Sequence, residues 1–260
     1  MAIILKSDRE IDLMRKAGEV VGNVLLKLKE TVEPGMTTAD LNEIAEDMSA
    51  QAGAQTLFKG VRSPYAKIPF PGAICASVNN EIVHGIPSKK VELKDGDIIS
   101  VDFGVNLGGY CGDSAVTIAV GNISEQKQKL IDVTQKVLEI AIENMRPGIK
   151  WSDIARKMQD FAQAAEFSVV KDYVGHGIGR EMHEDPKVPN YVSRELLAHD
   201  IILKKGMVLA VEPMINMGRA NTKVLRDGWT VVTADGKDSA HFEHTIAIKD
   251  NGCKVLTLNS

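Results

Sequence analysis

Two aspartates, two glutamates and a histidine form the set in this chain best suited to hold metal. Asp102 closes the segment Lys94-Asp95-Gly96-Asp97-Ile98-Ile99-Ser100-Val101-Asp102, and Glu212 closes Lys204-Lys205-Gly206-Met207-Val208-Leu209-Ala210-Val211-Glu212. The same turn glycine, apolar strand and terminal acid thus occur twice, 110 residues apart. Asp113 and Glu243 complete what reads as two symmetric pairs. His176 adds an imidazole, and Gly175 and Gly177 on either side of it allow backbone and substrate to come close. Any one of these acids is as readily explained by a strand-end ion pair or by an edge charge that resists aggregation. Four together in a low-dielectric interior require a counter-charge, and a metal ion is the commonest. Their four negative charges balance two divalent ions, and the oxygen-rich set with one imidazole suits manganese, iron, cobalt or zinc.

The other histidines divide by context. His84, in Val83-His84-Gly85-Ile86-Pro87, and His183, ahead of Pro186, occupy roughly corresponding places in the two halves. Each taken alone also fits a hydrogen-bonded structural role. His199 reads as solvated loop. His241 and His244 lie close to Glu243 on an alternating strand, so His244 is expected to point away from it; both could instead support the site from behind. Gly175 and Gly177 open a dinucleotide-type spacing, but Arg180 stands where its third glycine belongs. No Walker loop, Gly-x-Ser-x-Gly elbow or His-Glu-x-x-His helix is present.

The elements that position these residues also come in duplicate. Ser7 and Glu10 form a capping box ahead of Ile11, Met14, Val21, Leu25 and Leu28 at helical spacing, ending at Pro34-Gly35. A second long helix begins near residue 124, carries Leu130, Val133, Val137, Ile140 and Met145, and stops at Pro147-Gly148. A shorter helix follows each Pro-Gly, striped by Leu41, Ile44 and Met48 in one case and by Ile154, Met158 and Phe161 in the other. Strands are predicted over 74–78, 98–105 and 114–120, with a Gly108-Gly109 hairpin that sets Asp102 opposite Asp113, and over 208–212, 229–232 and 242–248. The order helix, helix, strands therefore repeats. It predicts an α+β fold with pseudo-twofold halves, roughly 7–121 and 122–250, around a curved antiparallel sheet within one domain spanning 1–260.

At 260 residues, 44% hydrophobic and 25% charged, the chain can bury a sizeable core. A net charge of −4 disfavours a dedicated nucleic-acid binder. Cys75, Cys111 and Cys253 are odd in number without Cys-x-x-Cys spacing, which predicts a reducing, cytoplasmic setting rather than a disulfide framework. The apolar run at residues 2–5 is far shorter than a signal-peptide core or a membrane span, so no membrane association is expected.

Across residues 173–191, with Gly175, His176, Gly177, His183, Val188 and Asn190, and over essentially its whole length, the chain resembles the type I methionine aminopeptidases, which have the pita-bread fold. Only 28 residues separate His183 from Glu212, leaving no room for the type II insertion, and no zinc-finger extension precedes the core. The resemblance implies that Asp102, Asp113, His176, Glu212 and Glu243 ligate two divalent metal ions (cobalt, manganese, iron or zinc). Glu212 would also act as base, His183 would stabilise the oxyanion, and His84 would serve the departing amide nitrogen. It further implies that Cys75, Phe70 and Trp229 receive the methionine side chain. Met182 stands where relatives often have an aromatic, and the stretch 62–71 is longer and proline-rich. The implied substrates are nascent peptide N-termini, acted on by a monomer, with ribosome contact through Arg219, Lys223 and Arg226. An X-Pro dipeptidase of the same fold and a metal-free binding protein are the alternatives.

Overall fold

A computed structural model describes residues 3–258; residue 2 of the N-terminal apolar run lies outside them. Helix α1 (Asp8–Thr31) starts at the Ser7–Glu10 capping box and buries Ile11, Met14, Ala17, Val21, Leu25 and Leu28. Helix α2 (Thr38–Gln51) starts at a second box, in which Thr37 and Asp40 satisfy each other's backbone N–H groups. Helix α3 (Glu125–Asn144) is capped by Ser124, and α4 (Trp151–Ala164) begins at Lys150 with no side-chain cap. A one-turn helix, α5 (Arg194–Ala198), follows later. Both long helices stop three residues before their Pro-Gly pair. Phe161 departs from expectation: it is 37% exposed, and Ala162 takes the inward position one turn beyond Met158.

The first half carries β1 (Gln55–Thr56), β2 (Ile74–Val78), β3 (Glu81–Val83), β4 (Ile98–Leu107) and β5 (Tyr110–Ala119). The second carries β6 (Ser168–Val169), β7 (Gly175–Gly177), β8 (Glu184–Val188), β9 (Val208–Val211) and β10 (Met214–Asn216), then β11 (Thr222–Val224), β12 (Val231–Thr233), β13 (Ser239–His241), β14 (Glu243–Lys249) and β15 (Gly252–Val255). A nine-stranded sheet runs β1-β4-β5-β14-β9-β7-β8, with β2 also on β4 and β15 also on β14; every pairing is antiparallel. Two further three-stranded sheets, β13-β10-β6 and β11-β12-β3, flank it.

The duplication extends to hydrogen-bond register. The β4–β5 rungs Ile98↔Ala119 and Val101↔Val116 reappear as Val208↔Ala247 and Val211↔His244, and Gly104↔Asp113 and Asn106↔Cys111 reappear as Met214↔His241 and Asn216↔Ser239. The short strands follow suit, with Thr56↔Val105 matched by Val169↔Ile215. The second ladder is interrupted at Pro213, which lacks the N–H that a rung needs. That break divides one long hairpin into β9–β14 and β10–β13. Two hydrophobic cores back the two halves, one beneath α1 and α2 and the other beneath α3 and α4. The halves meet where β5 pairs with β14, Ala115 opposite Glu243 and Ser114 opposite His244.

Candidate active site

The acids gather on one face of the curved sheet at this seam. Asp102 and Asp113 do not sit opposite each other as the hairpin predicted. Asp102 pairs with Ala115 and Asp113 with Gly104, so the two carboxylates are diagonal neighbours on the same face. Nor do the four acids form two symmetric pairs. Glu212 is the register mate of Asp102, but the mate of Asp113 is His241 and the mate of Glu243 is Ala115. The backbones of Asp113 and His241 are held alike. Thr245 Oγ1 donates to Asp113 O at 2.8 Å and accepts from Asp113 N at 3.0 Å; Thr117 Oγ1 does the same for His241 O and N, both at 2.9 Å.

His176 lies opposite Ala210 on β7. Its flanking glycines answer to backbone packing: a Cβ on Gly175 or Gly177 would collide with the carbonyls of Ala210 or Asp185. Ser77, opposite Ser100, is the register mate of His176, and seven residues beyond each stand His84 and His183. His84 adopts a left-handed backbone (φ 60°), which non-glycine residues hold only where surrounding structure enforces it. His244 turns away to Ser114 and Thr257, and His199 is exposed.

One cavity of about 270 Å³ is lined by all ten residues singled out from the sequence: Phe70, Cys75, His84, Asp102, Asp113, His176, His183, Glu212, Trp229 and Glu243. Phe58, Val61, Tyr173 and Val174 also line it without having been foreseen as pocket walls, as does Met182, which stands where relatives often have an aromatic. Tyr173 meets the His84 ring edge-on at 5.5 Å, and its place at the start of the 173–191 signature was the available clue. Phe58 and Val61 sit in irregular chain without periodicity to reveal them. The apolar end is built from Phe58, Phe70 and Cys75, with Trp229 edge-on to Phe70 at 5.3 Å. Trp229 Nε1 donates to Ile68 O at 3.0 Å, and the stretch 62–71 closes against Gly228, where any side chain would strike Tyr65 O.

The polar end bears the electrostatic cost. Burial pushes the Asp113 carboxyl up to about 7, and burial together with neighbouring acids raises Asp102, Glu212 and Glu243 well above the usual carboxylate range. Asp102 Oδ1, Asp113 Oδ1 and Glu243 Oε1 are buried without a hydrogen-bond partner among the described residues. Such a set fits a cation. His176 Nδ1 lies 2.9 Å from Gly177 O, leaving Nε2 to face the acids, and burial with help from His183 lowers its pKa to about 4, so it is neutral and can donate a lone pair. Ligand atoms of Asp113, His176 and Glu243 lie within 4.8 Å of one another. Glu212 stands beside them, its Oε1 3.6 Å from His176 Nε2 and its Oε2 3.9 Å from His241 Nε2.

Comparison with known proteins agrees with this chemistry. A model of metallopeptidase family M24 matches residues 12–250. The chain is 51% identical to a methionine aminopeptidase of Clostridium perfringens, over 98% of this chain and 99% of that one. It is 48% identical to methionine aminopeptidase 1 of Bacillus subtilis, over 98% and 99%. The crystal structure of a methionine aminopeptidase from Thermotoga maritima superposes with a TM-score of 0.93 at 41% identity, covering 99% of this chain and 100% of that one.

Proposed function

Because the chain belongs to metallopeptidase family M24, with the pita-bread fold, we propose that it removes the initiator methionine from nascent proteins when the second residue is small and uncharged. It is a metal-dependent methionyl aminopeptidase. The observation that carries this reading is the cavity itself, with two buried and two partly buried carboxylates and a neutral imidazole at one end and an apolar cup at the other.

Asp102, Asp113, His176, Glu212 and Glu243 would hold two divalent ions, cobalt, manganese, iron or zinc, which four carboxylates neutralise. Bound metal supplies Lewis acidity and a water made nucleophilic at neutral pH. The Glu212 carboxylate would serve as the base that takes up a proton from the attacking water. An imidazole N–H of His183 faces the scissile carbonyl oxygen and stabilises the charge that grows there. His84, held rigid by its left-handed backbone and by Tyr173, serves the amide nitrogen as it leaves. Phe70, Cys75 and Trp229, joined by Phe58 and Met182, exclude water and enclose the methionine thioether. Outside the cavity, Arg219, Lys223 and Arg226 are exposed around β11 and form a basic edge for ribosomal RNA near the emerging chain. The enzyme works in the cytoplasm as a monomer built as a single domain; among the described residues no helix is long and apolar enough to cross a membrane.

Mass-spectrometric turnover of Met-Ala-Ser, Met-Lys-Ser and Ala-Pro-Ser by chelator-stripped protein, repeated with manganese, iron, cobalt or zinc, tests the reading. Metal-dependent cleavage of Met-Ala-Ser alone is expected. Cleavage of Ala-Pro-Ser instead would move the protein to the dipeptidase branch, and no cleavage would leave a binding role.

A further inference from the structure

Glu212 has an imidazole at each carboxylate oxygen, and only one of the two belongs to the cavity wall. His176 stands 3.6 Å from Oε1; His241 stands 3.9 Å from Oε2, behind the cavity lining. His241 is 1% exposed, and its Nε2 is buried without a partner among the described residues. A polar atom so placed is rarely left unpaired, and the carboxylate it faces is within one small side-chain rotation of hydrogen-bonding range. The backbone gives the same indication. His241 is the register mate of Asp113, and Thr117 clasps it by N–H and carbonyl just as Thr245 clasps Asp113, with Ser100 Oγ 2.8 Å from Thr117 Oγ1 steadying the clasp. The fold therefore spends the same buried apparatus on position 241 as on a cavity acid.

We propose that His241 is a positioning residue for Glu212: its Nε2–H donates to Oε2, fixes the carboxylate plane and leaves Oε1 turned to the cavity. A carboxylate bonded on one side only can swing about its last torsion, whereas one held from behind presents a single oxygen in a constant direction. The inference deepens the aminopeptidase reading and rests on it.

The test compares wild type with His241→Leu, His241→Asn and His241→Gln, measuring kcat and KM on Met-Ala-Ser with manganese, manganese affinity by calorimetry of chelator-stripped protein, and Tm. Leu cannot donate and Asn is too short to reach, so both are expected to lose about 10- to 100-fold in kcat and about tenfold in manganese affinity, with little change in KM. Gln reaches as far as the imidazole and is expected to restore both to within about threefold of wild type, which a role in packing alone would not produce. Should the Leu variant fail to fold, the Asn and Gln pair decides. Wild-type manganese affinity in the Leu or Asn variants, or a Gln variant as impaired as Asn, would overturn the proposal. If wild type itself cleaves no Met-Ala-Ser, the aminopeptidase reading falls, and the manganese affinities still judge His241 separately.

Discussion

The first half of the sheet presents Asp102 and Asp113 on one unbroken hairpin, while the second presents Glu212, His241 and Glu243 on the same ladder split at Pro213. The backbone scheme is shared down to the turns. Gly96 N bonds Val120 O as Gly206 N bonds Ile248 O, and Gly35 N bonds Leu93 O as Gly148 N bonds Leu203 O. Side chains on the cavity face keep that symmetry only in part: Asp102 matches Glu212, but Asp113 matches His241 and Glu243 matches Ala115. Backbone groups must be paired in both halves whatever the function, so their pattern is fixed, whereas residues facing the cavity are free to differentiate. The hairpin ends differ most. Where the first half turns on Gly108 and Gly109, the second inserts residues 218–237 beyond the Met217 N to Asp238 O bond, and this excursion delivers Trp229 to the cavity and carries Arg219, Lys223 and Arg226 outward.

The sharpest way to break the apparent equivalence is to neutralise the two register mates. Glu212→Gln is expected to lower kcat on Met-Ala-Ser by about 10³-fold with metal content retained, as loss of a base does. Asp102→Asn, with no base to lose, is expected to act through metal loss, so excess manganese should recover activity there and not in Glu212→Gln. Elemental analysis beside turnover distinguishes them; equal rescue of both would erase the difference in role.

The threonine clasps offer the next largest effect. Thr117→Val and Thr245→Val each remove one buried hydroxyl that makes two bonds across the seam, and each should cost about 1–3 kcal/mol by urea denaturation. Matching costs would uphold the equivalence, and a cost confined to one half would end it.

Helix caps separate the halves in a milder way. Thr37 and Asp40 form a capping box on α2, but the corresponding Lys150 and Asp153 on α4 cannot. Lys150→Thr should therefore create the missing box and add about 0.5–1 kcal/mol, seen as a higher urea midpoint. An unchanged midpoint would show that the α4 N-terminus is already satisfied by other means.

The smallest effect is in pH. Hydrogen bonds from the Thr37 backbone and hydroxyl hold the Asp40 carboxyl below its ordinary value. A carboxyl lowered on folding contributes stability that is present above its unfolded pKa and lost as pH falls through the folded one. The Tm gap between wild type and Asp40→Asn should accordingly be open at pH 7 and narrow as pH drops below the ordinary aspartate range. A gap constant down to pH 3 would contradict the role of charge in that cap.

Local pattern made much of this legible. The Ser7–Glu10 capping box, the helical stripes and the two glycine-to-acid cassettes are each written within a dozen residues or a few turns, because they depend on contacts between near neighbours. Phe161 points outward against the helical stripe because the last turn of such a stripe permits either of two inward positions, and packing places the small Ala162 inside. Pro213 was visible, but its consequence was not, since a missing donor matters only once a partner strand is known.

The repeated order of elements, the residue types at the cavity and the chemistry those types can perform all follow from the order of residues along the chain. That Asp113 answers to His241, that Ala115 faces Glu243, and that Glu212 lies between two imidazoles came from the folded arrangement alone. Those relations are set where β5 meets β14, between residues more than a hundred positions apart, and their register depends on the length of every intervening connection rather than on any local periodicity.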